Sequence, residues 1–272
     1  MNDPRKIAGK ELVRDLRHRI EQFAGEESGA GYMRQMWNYV LDARERGQDP
    51  VPTDRCDAVP YVPVEPEAFG TQLSAEGAVL DVGCLGGYGL YDFTCRRRMA
   101  GKPVPRLFGI DADAVSVRVA REMASLWGEG LEVDFQEARA EKLPFADQTF
   151  DLAIARLLLP YVDMRAALGE LDRVLKASGL AVFQIHAFRY YRDEMFAHLK
   201  HPITTLYYLR ALLSGTWFRV TGRQPRHRWF AETALNSTTL VRMCAGHGLQ
   251  PVWRGEFVRK PIVVFRKTLA GS

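Results

Sequence analysis

Cysteine is scarce in this 272-residue chain: Cys56, Cys84, Cys95 and Cys244 form no C-x-x-C pair and have no histidine at zinc-finger spacing. That spacing argues against a structural metal site and a secreted disulfide framework, and a reduced, cytoplasmic setting is expected. Long hydrophobic runs are missing as well. The most apolar stretch, about 152–162, is broken by Arg156 and Pro160 and falls short of the ~20 residues of a spanning helix. Met1 to Lys6 lead into a charged helical pattern with no apolar leader and no small-residue cleavage site, so no signal peptide is expected. Neither sign of charge dominates. The 37 Lys and Arg against 33 Asp and Glu leave +4, too modest to imply nucleic acid by itself.

The make-up that remains, 47% hydrophobic and 26% charged, is that of a globular protein with a core large enough to fold without metal or disulfides. Leu12, Leu16, Ile20 and Phe23 recur at helical spacing, as do Met33, Met36, Trp37, Val40 and Leu41, so two amphipathic helices are expected. Pro50, Pro52, Pro60, Pro63 and Pro66 then rule out continuous helix. Residues 1–68 thus read as a helical cap with a proline-rich connector, and 69–272 as the main domain. From Ala78 onward short apolar runs alternate with helical stretches: Val79 to Val82, Leu107 to Ile110, Val133 to Phe135, Leu152 to Ile154 and Leu180 to Phe183. This alternation predicts an α/β fold with a doubly wound parallel sheet. A helical insertion at about 186–235 interrupts it, and 249–257 with 261–267 are expected to form a final antiparallel pair.

The strongest local signal is Val79-Leu80-Asp81-Val82-Gly83-Cys84-Leu85-Gly86-Gly87-Tyr88-Gly89. A strand running into a glycine-rich turn and then a helix brings backbone N–H groups close to a ligand, because glycine has no Cβ to hold it away. Asp111 follows Gly87 by 24 positions, near the offset at which a carboxylate at the end of the second strand takes ribose hydroxyls. The G-x-G-x-x-G dinucleotide fingerprint does not fit, since Leu85 stands two positions after Gly83.

What fits is D-x-G-C-x-x-G after two apolar residues, and on this motif the chain resembles the class I S-adenosylmethionine-dependent methyltransferases. Ala140-Glu141-Lys142-Leu143-Pro144-Phe145-Ala146-Asp147-Gln148-Thr149-Phe150-Asp151 is similar to the family's AExLPFxDxSFD segment. Arg156 to Asp163 is similar to the segment after the fourth strand, and Glu170-Leu171-Asp172-Arg173-Val174-Leu175-Lys176 to the ExxRVLKPGG helix. The resemblance implies a Rossmann-like, seven-stranded, mostly parallel sheet whose last strand is antiparallel, with S-adenosylmethionine as cofactor and no metal. It implies that Asp81 and the amides near Gly83, Cys84 and Gly87 hold the methionine part, Asp111 the ribose, and Ala112 and Ala140 the adenine neighbourhood. Three positions depart from the pattern: Leu85 replaces the middle glycine, and Ala177-Ser178-Gly179 replaces Pro-Gly-Gly. Arg139 stands where an Asp usually accepts the adenine amino group, and a guanidinium only donates. Glu137, Glu141 or backbone groups are the candidates for that role.

Methyl transfer from a sulfonium is an in-line displacement that alignment can drive, with a base needed only where the acceptor carries a proton. Arg156, just past the fourth strand, and His186, just past the fifth, are the positional candidates for catalysis. Residues 195–231 carry Lys200, Arg210, Arg219, Arg223, Arg226 and Arg228 among many aromatics, with no Asp or Glu. This stretch is read as a lid over an acceptor pocket to which Tyr32, Trp37, Tyr190 and Arg223 contribute. An anionic or lipid-like small molecule is the favoured ligand; peripheral contact with a membrane surface and contact with nucleic acid are the other readings. The expectation is methyl transfer to oxygen, nitrogen or carbon of a small organic molecule. The alternatives are a cofactor-binding protein without methyl transfer and a non-methylating enzyme that retains the cofactor.

Overall fold

The computed structural model describes residues 13–19, 21, 37–38, 40–46, 65–125, 127, 131–225, 232–257 and 260–268. Tyr32, Arg226 and Arg228 lie outside them. Seven strands are present: β1 (Ala78–Val82), β2 (Arg106–Asp111), β3 (Val133–Glu137), β4 (Phe150–Arg156), β5 (Leu175–Gln184), β6 (Leu249–Phe257) and β7 (Lys260–Lys267). They form one sheet in the order β3-β2-β1-β4-β5-β7-β6. The pairs β1–β4, β2–β3 and β4–β5 are parallel, and β7 runs antiparallel to both β5 and β6. Six helices are labelled here: α1 (Tyr88–Met99), α2 (Ala114–Ala124), α3 (Met164–Val174), α4 (Phe188–Ala197), α5 (Pro202–Thr221) and α6 (Ser237–Ala245). Every residue of β1 is buried, the mark of a strand covered on both faces. Strand order reverses between β1 and β4, the place where such sheets open a ligand crevice at the strands' carboxyl ends.

The chain groups into two compact units. One holds the described residues up to 46 together with 74–77 and 83–138; the other holds 65–73, 78–82 and 139–268. In the first, Phe135 of β3 fills the space left by two missing side chains. A Cβ at Gly109 would sit 2.5 Å from its ring and one at Gly87 2.8 Å. Trp37, Tyr88, Tyr91 and Trp127 continue this aromatic packing with ring centroids 5.4–6.1 Å apart.

In the second unit, Arg173 of α3 explains why two of the similar segments occur together. Its guanidinium donates to the carbonyls of Leu143 (3.0 Å) and Phe145 (2.7 Å) and to the carboxylates of Asp147 and Glu170 (both 2.8 Å). Glu170 in turn accepts from the Leu143 N–H at 2.7 Å. The loop before β4 is thereby fixed to the helix after it.

Candidate functional site

Within the first unit, the turn after β1 is held from three sides. The N–H groups of Gly83 and Cys84 both donate to the Ile110 carbonyl, at 2.8 and 2.9 Å, and the Gly87 N–H donates to the Cys84 carbonyl at 2.9 Å. Gly83 and Gly87 have φ of 75° and 79°, and between them Leu85 sits at 47°, a left-handed conformation that a side chain with a Cβ seldom adopts. The Leu85 N–H donates to Asp111 Oδ2 at 2.9 Å, and the Asp113 N–H donates to Asp111 Oδ1 at 3.0 Å. Asp111, the ribose candidate, thus also pins the strained residue of the glycine turn. Burial holds its carboxyl above the usual carboxylate range, against the lowering effect of those N–H donors. Ala112 beside it is exposed, and Asp113 caps α2 by accepting from the N–H groups of Val115 and Ser116.

The third side is Trp37. It is fully buried, and its Nε1 donates to the Gly86 carbonyl at 2.8 Å. The ring expected in an acceptor pocket braces the turn, and its only polar atom is engaged there. Cys84 is buried as well, and its Sγ contacts the Leu85 carbonyl at 3.5 Å.

In the second unit, the ends of β1 and β4 meet. Asp81 pairs across the parallel ladder with Ile154, which brings Arg156, two residues further on, over its carboxylate. Arg156 Nη2 lies 2.6 Å from Asp81 Oδ2, with the two side chains 13% and 1% exposed. The guanidinium proposed for catalysis and the carboxylate proposed for cofactor binding therefore form one buried ion pair. Arg139 takes the opposite course: its side chain is 72% exposed and contacts Glu141 at 3.1 Å. Glu141 also accepts from the Asp163 N–H at 3.1 Å, while Ala140 is buried. Of the candidates for adenine recognition in this unit, Glu141 is thus already engaged twice.

His186 follows β5 and stacks on Tyr190 with ring centroids 4.2 Å apart. Burial, with the Lys260 charge adding to it, pushes the imidazole down to about 4. Its Nδ1 is buried with no hydrogen-bond partner among the described residues. A ring this weakly basic is a neutral acceptor at pH 7 and is poorly matched to a base's task there. Because the unfolded chain binds this proton near 6.5 and the folded chain only near 4, stability falls as pH falls from about 6.5 towards 4. His186→Gln is expected to remove up to about 3 kcal/mol of that acid-side loss. Urea unfolding at stepped pH measures it; an unchanged slope in the variant would assign the proton elsewhere.

The insertion contributes a group that sequence reasoning missed. Glu232 is 4% exposed and accepts from the hydroxyls of Tyr191 and Tyr207, with the Tyr161 hydroxyl on the same carboxylate. Burial raises the Glu232 carboxyl and, with the neighbouring carboxylate, the Tyr191 phenol. Tyr190, Tyr191 and Tyr208 pack edge to face around it. Arg223 stands exposed just past the end of α5, its N–H donating to Thr221 Oγ1 at 3.1 Å. The sequence did hold one signal for Glu232: it is the first carboxylate after the acid-free stretch 195–231.

Comparison with known proteins agrees with this geometry. Residues 80–183 match the methyltransferase domain family. An uncharacterized methyltransferase, YcgJ of Bacillus subtilis, is 36% identical over 107 residues, 39% of each chain. A ubiquinone/menaquinone biosynthesis C-methyltransferase of Bartonella bacilliformis is 36% identical over 104 residues, 37% of this chain and 38% of that one. The matches span about two fifths of the length of these curated relatives. An S-adenosylmethionine-dependent methyltransferase structure from Methanosarcina mazei superposes with a TM-score of 0.53 at 20% identity, covering 77% of this chain and all of that one. Residues 80–183 match a methyltransferase domain, and the fold is like that of a solved S-adenosylmethionine-dependent methyltransferase.

Proposed function

We propose that the chain, built on a class I methyltransferase domain, moves the methyl group of S-adenosylmethionine to an oxygen, nitrogen or carbon of a small organic acceptor. The observation that carries this reading is the coupling of the glycine turn to Asp111. The half-buried Asp111 carboxylate, next to exposed Ala112, holds Leu85 in a strained conformation, and strain of this kind gathers where a ligand is held. A carboxylate has about four acceptor directions, so Asp111 keeps capacity for ribose hydroxyls after taking the Leu85 and Asp113 N–H groups.

When bound, the cofactor supplies an electrophilic methyl group on a sulfonium. The chain's part is to bind and orient it, and Asp111 is the group with acceptor directions left for that. The Gly83, Cys84, Leu85 and Gly87 N–H groups expected to hold the methionine part are already taken by Ile110, Asp111 and Cys84. Asp81, fixed by Arg156, supports the strand end from which the turn springs. The cationic, aromatic insertion favours an anionic or lipid-like acceptor. One of the relatives is named for C-methylation in ubiquinone/menaquinone biosynthesis, and a lipid-like ring of that class belongs among the first acceptors tried.

A second reading, cofactor binding without methyl transfer, draws on Arg139, whose exposed side chain turns to Glu141 where the related domains carry an acceptor for adenine. Calorimetry with S-adenosylmethionine and with its demethylated product decides the first step, and binding in the micromolar range is expected. No binding of either at high micromolar concentration would sink both readings. Release of the demethylated product in the presence of an acceptor favours the first reading, and binding with no turnover across the acceptor classes favours the second.

A further inference from the structure

Helices α4 and α5 present an apolar face that is open to solvent. Phe196, Leu199, Ile203, Leu213, Trp217 and Val220 are between 54% and 86% exposed. At about 100° per residue, the four on α5 fall within about a third of its circumference. The adjoining face of α5, about 120° around the helix, is buried through Ala211, Ser214, Gly215 and Phe218. A Cβ on Gly215 would come within 2.3 Å of the Ala234 carbonyl, so the helix is seated backbone to backbone. Ser214 Oγ meets Thr233 Oγ1 at 2.9 Å, and Arg165 Nη2 donates to the Gly222 carbonyl at 3.1 Å. The Gln224 side chain bonds both the Val162 carbonyl and the Met164 N–H. With its inner face anchored this way, α5 cannot roll to bury its outer one.

The charge along α5 and the turn before it has one sign, while α4 carries Asp193 paired with Arg192 and Glu194 beside His198. Residues 195–231 contain no Asp or Glu, and Lys200 and Arg219 are exposed at either end of α5. Beside the C-terminal end, where Val220 closes the apolar stripe, a cleft of about 600 Å³ is lined by Arg165, Arg219, Arg242 and His247 with no carboxylate among its lining residues. Among the described residues no helix is long and apolar enough to cross a membrane.

We infer that the outer face of α4 and α5 docks on an anionic lipid bilayer, its apolar side chains entering the interface and the cationic cleft taking a phosphate headgroup. Exposed aliphatic and Trp side chains beside basic residues are what a helix lying in a bilayer interface presents, and cations near an anionic leaflet add to the attraction. A second copy of the chain is a worse fit, because a symmetric contact would set these same cations against their like. The surface stands apart from the proposed methyl transfer, since vesicle binding is read without cofactor or acceptor.

The test is flotation of the full chain with vesicles of phosphatidylcholine alone and of phosphatidylcholine mixed with phosphatidylglycerol. Binding to the mixed vesicles is expected at least ~10-fold more tightly than to the neutral ones, and it should weaken as salt rises. The Ile203→Ser, Trp217→Ser, Val220→Ser triple variant, altered only at exposed positions, should lose at least ~10-fold in affinity while its circular dichroism and unfolding midpoint stay those of the parent. Should that variant fold poorly, Lys200→Glu with Arg219→Glu supplies the same reading through charge alone. Absence of vesicle binding, equal binding to both vesicle types, or a dimer in sedimentation that the triple variant dissolves would each overturn the inference.

Discussion

Replacing Asp111 with Ala is expected to weaken S-adenosylmethionine binding at least ~10-fold and as far as ~100-fold, read by calorimetry. A hydrogen bond to a charged acceptor contributes about 1.5–3 kcal/mol, and 1.4 kcal/mol is a factor of ten. The change also removes the acceptor of the Leu85 N–H, so the glycine turn loosens at the same time. Asp111→Asn separates the two effects. It keeps one oxygen for one of the two N–H donors but turns its NH2 against the other, so thermal stability should fall less than in Asp111→Ala while affinity still falls. The pH dependence has a definite sign. Because the carboxyl is held above the usual range, affinity should decline with acidification sooner than an ordinary aspartate would make it. Parent-like affinity in Asp111→Ala would remove this residue from the site.

The largest effect on stability is expected at the other strand end. Arg156→Met leaves Asp81, 1% exposed, without the guanidinium 2.6 Å away. Removing one partner of a buried pair costs about 3–5 kcal/mol, a large part of the 5–15 kcal/mol that ordinarily holds a domain folded. Chemical denaturation of the variant reads the loss directly. Removing both charges, as Asp81→Asn with Arg156→Met, should recover most of it, since the cost lies in the stranded charge. A loss below about 1 kcal/mol in the single variant would mean that solvent reaches Asp81 and that the pair is not what fixes this strand end.

The sheet was legible in the sequence because its signals are local. Val79 to Val82 is short, apolar and followed by glycine, and the strand assigned there is buried throughout. The expected terminal pair, 249–257 and 261–267, appears as β6 and β7 with β7 antiparallel to its neighbours. Asp111 was also legible, since its place at the end of β2 follows from counting. What escaped the sequence depends on contacts between distant residues. Arg156 and Asp81 are 75 positions apart, and nothing in either motif announces that the register of β1 on β4 will join them. Glu232 collects hydroxyls from Tyr161, Tyr191 and Tyr207, three separate segments. His186 sits where a base was expected, but its proton affinity is set by burial, which composition does not report.

The bond from Trp37 to the Gly86 carbonyl bears on how such a domain can be exchanged between proteins. The family match begins at residue 80, yet the turn that starts three residues later is completed by an indole more than forty positions upstream. A recombinant that joined residues 80–183 to a foreign leading segment would inherit the glycine motif intact and lose the donor to the Gly86 carbonyl. The transferable module is therefore longer than the matched one, and its upstream limit is set by a hydrogen bond from outside the matched residues.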